Sequence, residues 1–491
     1  MKLEADVVII GGGIVGATIA RELSRFAVST VLTERREDLA RGASGANSGI
    51  VHAGYDPEPG SKMAYYNVKG CAMYPQMAEE LEFPYQNIGS LVVAQDEKGV
   101  QILHELYERG LENGVPGMEI LNGAEALALE PNLSPETKGA LLAKSAGIVS
   151  PYEATIAFAE NAAVNGVKFL LGNEITAIEK TADGSFRLRG AVGDITAKVV
   201  INCAGTAAGR VSDMAGAEHF EIVEKKGEYT LYDRNLGGFV KHTIFPTPDE
   251  NGKGVLVTPT AEGNLLLGPS SDPLSRDQLG DTSTTQAGQD KIFAMGRKAV
   301  PNLPFAGAIT GFAGIRAVSG KDFIIGPSEK VEGFIQVSGI CSPGLTSAPA
   351  IAEDVAQMAL EALGVSAEAV RKPDWDGHRE GIPSVRDLNW QERQALCEED
   401  PTFGTIVCRC ETVTEGQIRR ALKSPIPVYT IDGVKRRVRA GMGRCQGSFC
   451  TPRVMELISE AAGVPFAEVR KAGPGTEIGQ GSLKNAKETE E

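Results

Sequence analysis

Apolar residues fall in short unbroken runs that end at glycine, separated by stretches of helical spacing; this is the pattern of strands buried on both faces with helices over them. Asp6-Val-Val-Ile-Ile10 stops at Gly11, Ile14 to Phe26 carries apolar residues at helical spacing, and Val28 to Thr33 is a second run. Strand, helix, strand in about thirty residues predicts the βαβ unit of a parallel sheet. Lys198-Val-Val-Ile-Asn-Cys-Ala-Gly205 and Gly333-Phe-Ile-Gln-Val-Ser-Gly339 read as further buried strands, each leading into a helical stretch, most clearly Pro349 to Leu363. These widely separated pieces belong to one sheet, with residues near 76–144 and 216–322 inserted as a second, mixed domain.

Length and composition narrow the class. A chain of 491 residues is too long for one core, so two or three domains are expected. Its 58 glycines exceed the roughly 7% background without any repeat, which excludes collagen and disorder and places them in turns and cofactor loops. Gly333 to Ala352 is long enough to span a bilayer, but Pro343 and Pro349 interrupt it. With no basic n-region before the first strand, the reading is a cytoplasmic enzyme without a transmembrane segment. Of the 49 Lys plus Arg and 64 Asp plus Glu, residues 401–453 hold ten bases and three acids, a basic module on an acidic body. Residues 366–401 look like a connector, and the tail 471–491, ending Lys487-Glu-Thr-Glu-Glu491, looks frayed.

Gly11-Gly-Gly13-Ile-Val-Gly16 stands between strand and helix, where glycines permit the tight turn and let backbone amides approach a pyrophosphate. Glu34 closes the next strand, placed to accept hydrogen bonds from a ribose. A second glycine-rich segment, Gly42-Ala-Ser-Gly-Ala-Asn-Ser-Gly-Ile-Val-His-Ala-Gly54, must wrap something large, which argues for FAD over NAD.

On these residues the chain resembles the D-amino-acid-oxidase-like FAD superfamily over about residues 3–365. Asn47 to Tyr55 and Pro59-Gly-Ser-Lys62 resemble its branch of L-2-hydroxyglutarate oxidases and FAD-linked glycerol-3-phosphate dehydrogenases. The resemblance implies that Gly11, Gly13, Gly16 and Glu34 hold the ADP half, that Ser44, Asn47, Ser48 and Gly49 run beside the isoalloxazine, and that Ala204 and Gly205 lie against the cofactor. It also implies that Gly344, Leu345 and Thr346 aim a helix N-terminus at the flavin, where the positive helix end stabilises charge on the reduced ring.

Oxidising an alcohol by hydride transfer needs a group to take the hydroxyl proton and a cation for the anionic handle of the substrate. Of five histidines, His52 stands in the flavin loop and is the candidate base; a structural histidine beside the cofactor is the alternative. His104 and His378 read as solvated. Arg316, in Gly311-Phe-Ala-Gly-Ile-Arg316, matches the position where relatives present a guanidinium to the substrate, an ion pair being the other reading. Lys226 and Tyr229 resemble a substrate-facing strand, and a solvated charge run fits them equally.

Cys408-Arg-Cys410 and Cys445-Gln-Gly-Ser-Phe-Cys450 supply four thiolates, suited to an iron-sulfur cluster or a structural zinc, though this spacing departs from the C-x-x-C habit of zinc ribbons. The block closely resembles the bacterioferritin-associated ferredoxin domain, which implies a 2Fe-2S cluster as metal cofactor. Lys435-Arg-Arg-Val-Arg439 lacks interleaved aromatics and so does not suggest nucleic acid. The other four cysteines read as buried or incidental.

The expected fold is α/β: a Rossmann-like FAD-binding domain (about 1–75, 145–215 and 323–365), an inserted mixed α+β substrate domain, and a small iron-sulfur domain over 402–470. The expected function is an FAD-dependent dehydrogenase of a small anionic hydroxy substrate, sn-glycerol 3-phosphate first, passing electrons through the cluster to an acceptor protein or partner reductase subunit. L-2-hydroxyglutarate oxidation is the main alternative, followed by an amino-acid or amine dehydrogenase subunit and by a non-catalytic electron carrier.

Overall fold

The computed structural model describes residues 2–248 and 254–479 in two units. The first comprises residues up to 35 together with 39–379, and the second residues 36–38 together with those from 380 onward. The far end of the expected frayed tail, residues 480–491, lies outside the described residues.

In the first unit, β1 (Lys2–Ile10), α1 (Ile14–Leu23) and β2 (Thr30–Glu34) form the βαβ unit, with Val7 opposite Thr30 and Ile10 opposite Thr33 in parallel register. Val7, Val8 and Ile9 are wholly buried, as expected of a run with no polar face. The long helix α2 (Lys62–Leu81) and α3 (Pro151–Val164) precede β3 (Lys168–Leu171), which pairs with the outer side of β2. On the other side of β1 lies β4 (Asp194–Asn202), which divides its length between two neighbours. Residues 195–197 join an antiparallel hairpin, and 200–202 pair in parallel with a later strand, Phe334–Ser338. The common direction of the five parallel strands brings their carboxyl ends, with Gly11, Glu34 and Cys203, to one edge.

The inserted sheet has nine strands between residues 90 and 318. Its long pair, β5 (Val223–Tyr232) and β6 (Ala308–Val318), carries α4 (Gln286–Ala299), which packs on the sheet through Ile292 and Gly296. The last parallel strand, β7 (Phe334–Ser338), leads to α5 (Gly344–Ala362). This helix starts five residues before the stretch marked most clearly in the sequence, so Pro349 lies inside it. The missing N–H of Pro349 leaves the Leu345 carbonyl without its usual helical donor. The Tyr74 hydroxyl on α2 supplies a substitute at 2.6 Å.

Residues 371–379 are held in the first unit: the Trp375 ring stacks under Arg25, its indole N–H donates to Ser24 Oγ, and Arg379 pairs with Glu160. The second unit packs α6 (Glu415–Leu422), α7 (Ile431–Val438) and α8 (Thr451–Ala462) around fully buried Ile418, Val434, Leu457 and Ile458. No helix among the described residues is long and apolar enough to cross a membrane.

Candidate active site and thiol cluster

The turn after β1 is bare backbone by necessity. Gly11 has φ +119°, and a Cβ there would stand 2.3 Å from the Cys203 carbonyl oxygen; one on Gly16 would stand 2.0 Å from the Gly11 carbonyl. Gly13 is the N-cap of α1 and has no side chain to cover the amides behind it. Glu34 accepts the Gly12 N–H at 2.7 Å, and Ser44 Oγ accepts the Ile14 N–H at 2.8 Å. A helix N-terminus capped by a bare glycine, a carboxylate at the next strand end and a cradle that any Cβ would fill are what a dinucleotide requires. Ala204 lies against this turn, its Cα 3.4 Å from where a Gly11 Cβ would stand, and Gly205 follows it in the left-handed region.

The second loop is held by its own side chains. Asn47 donates to the carbonyls of Ala43 and Ser44 and accepts the Gly49 N–H, so it fixes the loop itself. Gly49 has φ +66°, and its Cβ position falls 2.4 Å from the Val149 carbonyl. A Cβ on Gly314 of β6 would lie 1.9 Å from the Ala46 carbonyl, so this strand grazes the loop.

That approach decides which strand residues face the loop. Lys225 pairs with Arg316, Gly227 with Gly314 and Tyr229 with Phe312, and side chains alternate along a strand. Arg316, Gly314 and Tyr229 therefore share one face, and Lys226 is on the other. The Tyr229 hydroxyl bonds Ser48 and Arg316, and its ring stacks on Phe312 at 4.7 Å. Burial pushes this phenol above its ordinary range, while the Arg316 charge and both hydrogen bonds oppose the rise. Arg316 is further held by Ser271 Oγ at 3.4 Å and the Ser270 carbonyl at 3.3 Å.

The sequence pairing of Lys226 with Tyr229 as substrate-facing is thus corrected: three positions apart on a strand means opposite faces. The solvated reading is also corrected, since both residues are buried. Lys226 bonds Asp281 at 2.9 Å and the Ser283 carbonyl, under the N-terminus of α4.

His52 is fixed from three sides. Its N–H donates to Thr346 Oγ1 at 2.9 Å, its carbonyl accepts from Asn67 Nδ2 at 2.6 Å, and its Nε2 lies 3.3 Å from Ser342 Oγ. Phe245 stands 5.9 Å from the imidazole. A cavity opens beside the ring, lined by His52, Tyr55, Asp56, Asn67, Phe245 and Pro248. The Asn67 side-chain oxygen Oδ1 is buried without a hydrogen-bond partner among the described residues. Thr346 is brought to His52 because α2 crosses α5 at Gly70, where a Cβ would lie 2.1 Å from the Thr346 carbonyl. Asn67 and Ser342 had no sequence signal of their own. Asn67 lies one turn before Gly70 on α2, and Ser342 just precedes the marked Gly344 to Thr346 segment. His104 and His378 are exposed.

In the second unit the four marked thiols converge. Cys408 and Cys410 sulfurs are 3.9 Å apart and Cys410 and Cys445 3.6 Å, while Cys450, the N-cap of α8, bonds Cys408. The Cys408 thiol is held well below its ordinary range, first by Cys450 and, against burial, by the backbone amides of Gly441 and Glu411. Four sulfurs, amides pointing at them and a helix N-terminus behind one are a donor set that fits an anionic iron-sulfur cluster. A Cβ on Gly443 would stand 2.6 Å from Cys410 Sγ, so the loop has room only for glycine.

The fold and the glycine cradle define a flavin-dependent oxidoreductase carrying a second redox module. The chain belongs to the FAD dependent oxidoreductase family, whose model matches residues 6–358, and a BFD-like 2Fe-2S binding domain matches residues 406–460. FAD and a 2Fe-2S cluster are its cofactors. Among its relatives, glycerol 3-phosphate dehydrogenase of Caloramator mitchellensis is 43% identical over 98% of this chain and 99% of its own. The solved FAD-bound L-alpha-glycerophosphate oxidase of Mycoplasma pneumoniae has TM-score 0.71 and 30% identity, covering 79% of this chain and 99% of its own. Human mitochondrial L-2-hydroxyglutarate dehydrogenase is 31% identical over 54% of this chain and 60% of its own. The fold and cofactors expected from the sequence are thereby borne out.

Proposed function

We propose that the protein oxidises sn-glycerol 3-phosphate to dihydroxyacetone phosphate and passes the electrons through its 2Fe-2S cluster to an acceptor protein in the cytoplasm. The carrying observation is full-length similarity, cluster module included, to a glycerol 3-phosphate dehydrogenase. FAD, when bound, supplies the two-electron acceptor for the hydride of the C–H bond. Gly11, Gly13, Gly16 and Glu34 hold its ADP half, and Ser44 and Asn47 stand in the loop that runs beside the isoalloxazine. Ser48, Gly49, Ala204 and Gly205 hold the rest, with the α5 N-terminus at Gly344, Leu345 and Thr346.

Arg316, braced by Tyr229, binds the phosphate as a fork of two donors. His52, fixed by Thr346, Asn67 and Ser342, takes the hydroxyl proton as the hydride departs. Cys408, Cys410, Cys445 and Cys450 ligate the cluster. A one-electron relay behind a two-electron site favours a protein acceptor over oxygen.

The test is anaerobic mixing with glycerol 3-phosphate and, separately, L-2-hydroxyglutarate, watching the flavin band. Bleaching by glycerol 3-phosphate alone is expected, and bleaching by L-2-hydroxyglutarate alone would replace the substrate assignment. Bleaching by neither would return the protein to the amine-dehydrogenase or electron-carrier readings.

A further inference from the structure

Glu411, next in sequence to Cys410, is a carboxylate only 1% exposed. It is paired from two elements: Arg439 Nε donates to Oε2 at 3.0 Å, and Arg386 Nη1 approaches the same oxygen at 3.5 Å. Arg439 follows the last turn of α7 in the left-handed region, φ +63°, with its N–H bonded to the Lys435 carbonyl. A non-glycine residue held there shows that the surroundings over-determine its position.

The carboxylate belongs to the cysteine site by geometry. The point a Cβ on Gly443 would occupy lies 2.6 Å from Cys410 Sγ and 3.0 Å from Glu411 Oε1, so sulfur and carboxylate flank one small space. The backbone amide of Glu411 faces the Cys408 sulfur. A buried ion group in contact with this loop is needlessly costly for packing alone, because an apolar replacement of the same shape is commonly no less stable.

We propose that Glu411, with Arg439 and Arg386, sets the reduction potential of the cluster by holding one carboxylate and two guanidinium charges at fixed places beside it. The inference rests on the four cysteines being the ligands. The reduced cluster carries one more negative charge than the oxidised one, and no proton need accompany the electron. A nearby carboxylate therefore disfavours reduction and a nearby guanidinium favours it, and low exposure leaves both poorly screened.

The experiment is a redox titration of the purified full chain, followed by the electron paramagnetic resonance signal of the reduced cluster, for E411Q, R439Q and R386Q. E411Q is expected to raise the potential, giving about a tenfold larger reduced-to-oxidised ratio at fixed potential, about 59 mV for one electron. R439Q and R386Q are expected to lower it, R439Q by more. The proposal is overturned if E411Q and R439Q both match the parent or shift it in the same direction. If either variant loses its cluster, the sign at R386Q decides. A parent without the signal, or one whose signal survives C410S, would instead sink the ligand assignment.

Discussion

At the scale of single residues, His52 and Arg316 divide the proposed work, and their substitution should separate kinetically. His52→Gln removes the proton acceptor but keeps the loop volume, and flavin reduction by glycerol 3-phosphate should slow by about 10²-fold or more in stopped flow. Arg316→Ala should instead act first on substrate affinity, with free inorganic phosphate losing its ability to compete. Unchanged reduction in the first variant would leave His52 a structural residue. Tyr229→Phe deletes the hydroxyl bonded to both Ser48 and Arg316 and should fall between these two. The glycine turn was legible beforehand, because glycines at fixed offsets between a strand and a helix leave their pattern in the chain itself. Lys226 misled because a lysine in a charged run looks solvated, and only strand register shows that it turns toward Asp281. Asn67 and Ser342 were illegible, since their roles come from contacts more than ten residues away in sequence.

Among the elements, the crossing of α2 and α5 places both His52 and the helix end proposed to face the flavin. Gly70→Ala would thrust a methyl against the Thr346 backbone, which cannot give as a flexible side chain can. The helices must separate, and the purified protein should carry less FAD and melt at a lower temperature, both read directly from its spectrum and thermal unfolding. Tyr74→Phe tests the same joint more gently. It leaves the part-buried Leu345 carbonyl without that donor, a loss of about 0.5–1.5 kcal/mol in chemical denaturation. α5 begins at Gly344, where the resemblance put a helix N-terminus, although the clearest helical pattern starts only at Pro349: proline is normally read as a first-turn residue, and a tyrosine from another helix makes an interior one acceptable. The βαβ unit, by contrast, was readable because its strands are buried on both faces and so carry unbroken apolar runs.

For the molecule as a whole, two redox centres in one chain should be separable by chemistry. Replacing Cys450 by Ser should abolish turnover with a protein acceptor while glycerol 3-phosphate still bleaches the flavin. Loss of bleaching as well would mean that the module supports the flavin site itself. The second unit also includes Asp38, fully buried and bonded to Arg436 and Arg437. Burial would push this carboxyl up, but the two guanidinium groups hold it below the usual carboxylate range. Its stabilisation is therefore present above the ordinary carboxylate pKa and lost as pH falls through the lowered one. Asp38→Asn should weaken the second unit at neutral pH by about 3–5 kcal/mol, with the difference narrowing in acid, as followed by iron release. The three residues that follow Arg35 thus serve a module whose remaining sequence begins more than three hundred positions later. A fragment cut to residues 380–491 would therefore lack the acid that Arg436 and Arg437 hold, and should release iron more readily than the intact chain.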